Sequence, residues 1–334
     1  MTIKERYDII RSGARVGELQ AVDAVSITMQ TDSKTKTDFS GTFAFNPDFQ
    51  RLTDRIRPMY SEGEEWISLG MYMVTQSQYS YEDDVGVMRL TGLDLGHLAE
   101  RRQAEARPFF AKGLVYTDVV QTLLAECGID RIRCTDTALR LRTDREDWDA
   151  GTSYIDIINQ LLGEINYVDL WFDLEGYAVI SPAGSETQRV YEADEMSVIL
   201  PEYTIERDEG GAYNVFVAYV SNTDLAQEMV AVAENNDPSS AISTANIGRN
   251  PLVEQLSDIP NLEELERYVI RKRDASLFGT EKVAFETAVR AHGVGDVVYL
   301  RHHEAHGLYR ETGWKITLGE GSTMTHTAER VVFL

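Results

Sequence analysis

Residues 148–182 read W-D-A-G-T-S-Y-I-D-I-I-N-Q-L-L-G-E-I-N-Y-V-D-L-W-F-D-L-E-G-Y-A-V-I-S-P, one compact helix-plus-hairpin unit with almost no catalytic chemistry in it. Ser153 followed three residues later by Asp156 is a capping-box pattern, in which a hydroxyl satisfies an orphan amide at the helix start. Ile157, Ile158, Leu161, Leu162 and Ile165 then recur at helical spacing, so one apolar stripe faces a core. Tyr167 to Phe172 and Tyr177 to Ser181 are rich in aromatic and β-branched residues. Asp173-Leu174-Glu175-Gly176 between them is a turn ending in glycine, which predicts a strand pair closed by Pro182.

N-terminal to this unit, from Tyr7 to about Leu95, the signal is alternation, as in Val25-Ser26-Ile27-Thr28-Met29-Gln30 and Phe43-Ala44-Phe45. It predicts short β-strands, which suit a barrel or sandwich because a sheet closed on itself leaves no exposed edge. Asn46-Pro47-Asp48 breaks the pattern, and Phe49 to Ile56 reads as a short helix or irregular connection. The charged run from Leu98 to Pro108 marks a boundary. Thr117 is placed to cap a helix whose Val119, Val120, Leu123, Leu124 and Cys127 share one face, and Gly128 to stop it. From Met196 strands return, interrupted by a helix that the Asn261/Glu264 pair opens and whose Leu262, Leu265 and Val269 share a face. Ser221 to Asp258 reads as a long polar loop, of the kind that has a functional or contact role or is mobile.

The 334 residues exceed one small core and imply two or three domains, and 43% hydrophobic composition implies globular ones. The net charge of -23 argues against stable nucleic-acid binding, which depends on Lys and Arg. The first six residues carry charges where a signal peptide needs an apolar core, and no apolar run approaches a membrane span, so no membrane insertion is expected. Cys127 and Cys134, seven positions apart, fit neither a Cys-x-x-Cys site nor a disulfide framework.

Candidate chemistry is sparse. His302-His303-Glu304-Ala305-His306 is one residue short of the His-Glu-x-x-His spacing that sets two rings on one helical face, and beside Gly307 it reads as a polar hairpin tip. The acid pairs Glu64-Glu65, Asp83-Asp84 and Glu263-Glu264 fall in turns or on helix faces expected to be exposed, which argues against glycosidase chemistry. Trp66, Trp148, Trp171 and Trp314 lie in or beside strands and helix starts, where core packing explains most of them. No catalytic residue, cofactor or metal ligand is therefore assigned.

Three stretches carry a resemblance to a known family. The 148–182 unit resembles the middle domain of baseplate hub proteins of phage tails and contractile injection particles, of the late-control-D type. Gly70-Met71-Tyr72-Met73-Val74 with Met88-Arg89-Leu90-Thr91-Gly92-Leu93-Asp94 is similar to that family's first β-domain. Gly293-Val294-Gly295-Asp296-Val297-Val298-Tyr299-Leu300, Leu308-Tyr309 and Trp314-Lys315-Ile316 are similar to its second. The resemblance implies a mainly β fold with an α+β insert: two β-barrel-like tube domains, 1–105 and 191–334, bridged by an α+β domain, 106–190. It implies a structural, non-enzymatic hub whose homotrimer joins the six-fold tail tube to a three-fold spike or tail tip. Tape-measure and other baseplate proteins would be its neighbours, in a virion tail assembled in the host cytoplasm. The acidic excess would then line the central channel. A carbohydrate-binding or host-recognition module is the second reading, and a cell-wall hydrolase the third.

Overall fold

The computed structural model describes residues 4–331 apart from 83–84, 186, 194–198, 209–211, 221–227, 257, 278–279 and 320. The fold is mainly β with a helical insert. The alternating N-terminal stretch forms β1 (Lys4–Arg11), β2 (Ala14–Leu19), β3 (Val25–Gln30), β4 (Thr37–Ala44), β5 (Arg55–Glu62), β6 (Glu65–Ser68), β7 (Tyr72–Glu82) and β8 (Val85–Asp94). In β4 the pleat sends Phe39 and Phe43 into the core and leaves Asp38, Ser40 and Thr42 half-exposed. The chain after β2 returns to β4, where Val22 N donates to Thr42 O at 2.8 Å and Ala44 N to Gln20 O at 2.9 Å. The sheet thereby curls around Tyr7, Phe39, Phe43, Ile56, Tyr72 and Met88.

The middle segment forms α1 (Gly96–Arg101), α2 (Tyr116–Glu126), β9 (Ile132–Cys134), α3 (Tyr154–Glu164), β10 (Trp171–Phe172) and β11 (Ala178–Ile180). Ser153 caps α3 by accepting from Asp156 N, and Ile157, Ile158, Leu161 and Leu162 are fully buried. At α2 the expected cap is displaced. The helix starts two residues earlier, at Tyr116, Val115 is its N-cap, and the Thr117 hydroxyl is buried without a hydrogen bond. Tyr116 is drawn into the helix because its buried phenol donates to Glu164 at 2.9 Å. Gly128, at φ 77°, does end α2: Gly128 N bonds Ala125 O and Ile129 N bonds Leu124 O, the paired closure that a left-handed residue permits.

The remainder forms β12 (Gln188–Glu192), β13 (Ile199–Asp208), β14 (Val215–Val220), β15 (Met229–Glu234), α4 (Thr244–Ile247), β16 (Pro251–Leu256), α5 (Leu262–Ser276), β17 (Thr280–Ala288), β18 (Val297–His302), β19 (Ala305–Leu318) and β20 (Thr323–Arg330). Asn261 caps α5 by accepting from Glu264 N at 2.9 Å. The described part of 221–258 is not one long loop. It supplies β15 and β16, which flank β14 in a separate three-stranded sheet under α5. The small Ala231 and Ala233 let that helix approach, so the inward positions of this run lack bulky residues and its valines, Val230 and Val232, face outward. The expected second β domain is thus interrupted by a small α/β unit.

The two sets of strands expected as separate barrels share one 14-stranded sheet, in the order β13-β17-β20-β19-β3-β4-β8-β7-β5-β1-β2. Edge pairing of β3 with β19 satisfies backbone groups that two separate sheets would expose. No helix among the described residues is long and apolar enough to cross a membrane.

Candidate functional site: the joint between the two β units

At the joint, β3 runs antiparallel to the second half of β19, with Met29 opposite Trp314, Ile27 opposite Ile316 and Val25 opposite Leu318. All six side chains enter one core with Met324 and Val289. The connection after β17 is wedged in as well: Ala291 N donates to Tyr60 Oη at 2.9 Å and Trp314 Nε1 to Gly293 O at 3.1 Å. The exposed side of the joint is an open groove of about 700 Å³ lined by Thr28, Gln30, Lys282, Glu286, Lys315 and Thr325 among others.

The strand order on either side of this joint is the same. In the first unit the path is β1-β5-β7-β8-β4-β3, and in the second β12-β18-β19-β20-β17-β13. Numbered by position along the chain, with the small strands β2 and β6 set aside, both read first, fourth, fifth, sixth, third, second. The units differ at the outer strand, since β1 is antiparallel to β5 whereas β12 is parallel to β18. Both carry an irregularity at the matching place, between Val74 and Gln76 in β7 and between Glu311 and Gly313 in β19.

Behind the joint lies a buried trio that no local spacing in the sequence announces: His292, Glu311 and His326, each fully buried. Glu311 faces His292 Nδ1 at 2.7 Å and His326 Nδ1 at 2.5 Å. On their far sides His292 Nε2 meets the Tyr191 hydroxyl, and His326 Nε2 meets Thr287 Oγ1 at 2.8 Å. His/Glu/His is a zinc-type donor set, but ligands of one tetrahedral ion at about 2.1 Å stand about 3.4 Å apart. The distances here are hydrogen-bond lengths, and all four ring nitrogens already have partners, so the trio fits shared protons better than a metal. Burial alone would raise the Glu311 carboxyl, but bonds from both imidazoles outweigh it and hold it below its ordinary range. Burial pushes His326 below its ordinary 6.5 against the pull of Glu311.

A second buried network holds the middle segment to the small α/β unit. Arg145 makes a bidentate contact to Glu164 at 2.7 and 2.8 Å, reaches Asp147 at 2.5 Å, and lies 4.0 Å from Asp258. Asp258 in turn accepts from Thr143 Oγ1 at 3.0 Å and from Ile259 N at 2.8 Å.

The residues that sequence singled out are dispersed. His302 is turned inward over Tyr203, with ring centroids 4.4 Å apart, and the exposed His303 in the β18–β19 turn packs 4.7 Å from it, whereas the exposed His306 on β19 lies against Tyr299. These three do not converge on a common point. Glu64 and Glu65 are exposed at the β5–β6 turn, and Asp83-Asp84 lies outside the described residues. Glu263 is exposed, but Glu264, expected on an exposed face, is buried. Its carboxylate accepts from Asn166 Nδ2 at 2.8 Å and Arg267 at 3.0 Å, tying α5 to the chain after α3. Trp148 and Trp314 are buried, Trp171 is half-buried, and Trp66 is exposed beneath the Arg6 guanidinium. Cys127 and Cys134 are free thiols, pushed by burial up to about 11 and about 12.

No protein-family model matches this chain, and no curated protein matches it. Solved structures do. A tail protein from Neisseria meningitidis MC58 is similar over 98% of this chain and 96% of its own, with a TM-score of 0.69 at 14% identity. The 43 kDa tail protein of prophage MuSo2 from Shewanella oneidensis is similar over 97% and 98%, with a TM-score of 0.67 at 10% identity. An E. coli type VI secretion component described as similar to T4 tail proteins is matched over 97% and 77%, with a TM-score of 0.55 at 10% identity. At such identities the likeness is one of fold, and across nearly its whole length this chain has the fold of phage tail proteins.

Proposed function

We propose that this chain is a structural tail hub. Three copies join a six-fold tail tube to a three-fold spike or tail tip, beside tape-measure and other baseplate proteins, in a virion tail or a related injection particle assembled in the bacterial cytoplasm. The observation that carries this reading is the repeated strand order on either side of the β3–β19 joint. A protein with two equivalent β units per chain presents six of them from three chains, matching a hexameric ring on one side and keeping three-fold symmetry on the other. In this reading residues 1–105 and 191–334 are the ring-forming domains, 106–190 is the bridge, and the role is assembly rather than catalysis. Native mass spectrometry with electron microscopy of the purified protein tests it. A trimer whose end view shows a ring of six lobes is expected. A chain that stays monomeric at high concentration and is missing from the assembled tail overturns the reading, as does release of soluble fragments from peptidoglycan.

A further inference from the structure

Within each described unit, one edge at the place equivalent to the intramolecular joint is left unpaired. The second half of β19 pairs β20 on one side and β3 on the other. Its counterpart β7 pairs β8 along its length, but on its other side meets β5 only at Tyr72 and Met73, so nothing described pairs that side from Gln76 onward. The counterpart of β3 is β13, whose one pairing among the described residues is with β17. Aligning the units on their matching irregularities sets Gln76 on Gly313, and following the ladders across sets Ile205 on Ile27 and Tyr203 on Val25.

Exposure follows this alignment. Ile316, Leu318 and Val289 in the joint are 0%, 0% and 2% exposed, whereas their counterparts Tyr79, Tyr81 and Phe45 are 38%, 67% and 42% exposed. Phe45 packs against both tyrosines on the surface, its ring centroid 6.2 Å from that of Tyr79 and 5.8 Å from that of Tyr81. On β13 the counterparts of fully buried Ile27 and Val25, namely Ile205 and Tyr203, are only half-buried.

We propose that β7 of one chain pairs antiparallel with β13 of a second copy of this chain, repeating between copies the joint that β3 and β19 make within one. The register carried over from the joint sets Tyr79 opposite Ile205 and Tyr81 opposite Tyr203 on the apolar face. Gln78 falls opposite Glu206 and Ser80 opposite Thr204 on the polar face. Both faces match in kind, as cross-strand pairs require. The contact is head-to-tail, so it continues until the ring closes. It rests on the hub reading and specifies its interface.

The test uses the full chain with Tyr79→Cys and Ile205→Cys. Directly opposed Cα atoms lie about 4.5 to 5.5 Å apart, within disulfide reach. Mild oxidation should give linked dimers and trimers that neither single variant gives, and Tyr79→Cys with Thr204→Cys, on opposite faces, should give none. Tyr81→Asp should abolish the trimer while leaving the circular dichroism spectrum of the folded chain unchanged. A trimer that survives Tyr81→Asp and does not cross-link through 79 and 205 overturns the proposed edge while the hub reading stands. Absence of any trimer in the unmodified protein overturns both.

Discussion

At the scale of single residues, the groups that decide this molecule are buried and paired across long sequence distances. Removing the charge of Arg145 would leave Glu164 and Asp258 in the interior without their cation, and a broken buried pair costs about 3–5 kcal/mol. Arg145→Met should therefore lower stability by about that amount in urea unfolding, and adding Glu164→Gln should recover part of it. The His292–Glu311–His326 trio should make stability depend on pH. With His326 held below 6.5 in the folded chain, the unfolded chain takes up the proton first, so this stabilisation is complete above about pH 6.5 and is lost as pH falls below it. Glu311, held below its ordinary value, has the same sign at lower pH. Between pH 7.5 and 5.5 stability should fall by up to about 1.4 kcal/mol per pH unit, and His326→Asn, which cannot titrate, should flatten that fall. An identical profile in the variant would show that the trio is not the cause. None of this was legible in the sequence. His302 to His306 drew attention because they are adjacent, yet His302 and His303 stack near Tyr203 while His306 lies against Tyr299, whereas the trio is brought together by β19, β20 and the connection after β17 from residues spread over 292 to 326.

Elements were legible where a local signal agreed with the tertiary environment. The Ser153 and Asn261 caps, the α3 stripe and the alternation of β3 each depend on neighbours within a few residues, and the structure places them as read, whereas of Phe43-Ala44-Phe45 only the first ring is buried and Phe45 is exposed. The Thr117 cap failed because the Tyr116 phenol, buried against Glu164 from α3, fixed the helix start from outside the segment. β15 went unread because two of its inward positions are alanines, which a helix must cover before they amount to a core face. Leu161 tests the packing of α3. It is fully buried, so Leu161→Ala should cost about 2–5 kcal/mol, with the upper end expected if the surrounding Ile155, Ile158 and Leu124 cannot close the cavity. A melting temperature equal to that of the unmodified protein would remove α3 from the core.

On the scale of the whole molecule, the resemblance anticipated two β-rich halves around a helical bridge, but not that they are fused through one sheet. Strand order is a property of long-range pairing, and a duplication can persist in the ladders after it has faded from the residues. The same ladders bear on the acidic charge, which the sequence alone suggested would line the channel. The exposed face of the shared sheet across the joint carries Asp38, Glu206, Asp208, Glu286 and Glu329 against Arg89, Lys282, Arg310 and Lys315, set among Ser26, Thr28, Ser40, Thr42, Thr91, Thr325 and Thr327. Five carboxylates against four bases leaves this face only a small share of the net charge of -23, so most of the acidic excess lies elsewhere. A ring closed by repeating the joint extends this face from copy to copy, with the packed cores behind it. The expected outcome is that the bore is lined by hydroxyls and balanced charges. A passing polymer would meet neither a basic surface to bind nor an acidic one to repel it, and screening confines either effect to about 8 Å at physiological salt. Thr325→Cys reports on this. In the assembled ring it should react with a small maleimide and resist one carrying a large polyethylene glycol, while a chain held monomeric by Tyr81→Asp should react with both. Equal reaction with both reagents in the ring would place this face on the outside and return the channel lining to the acidic surfaces.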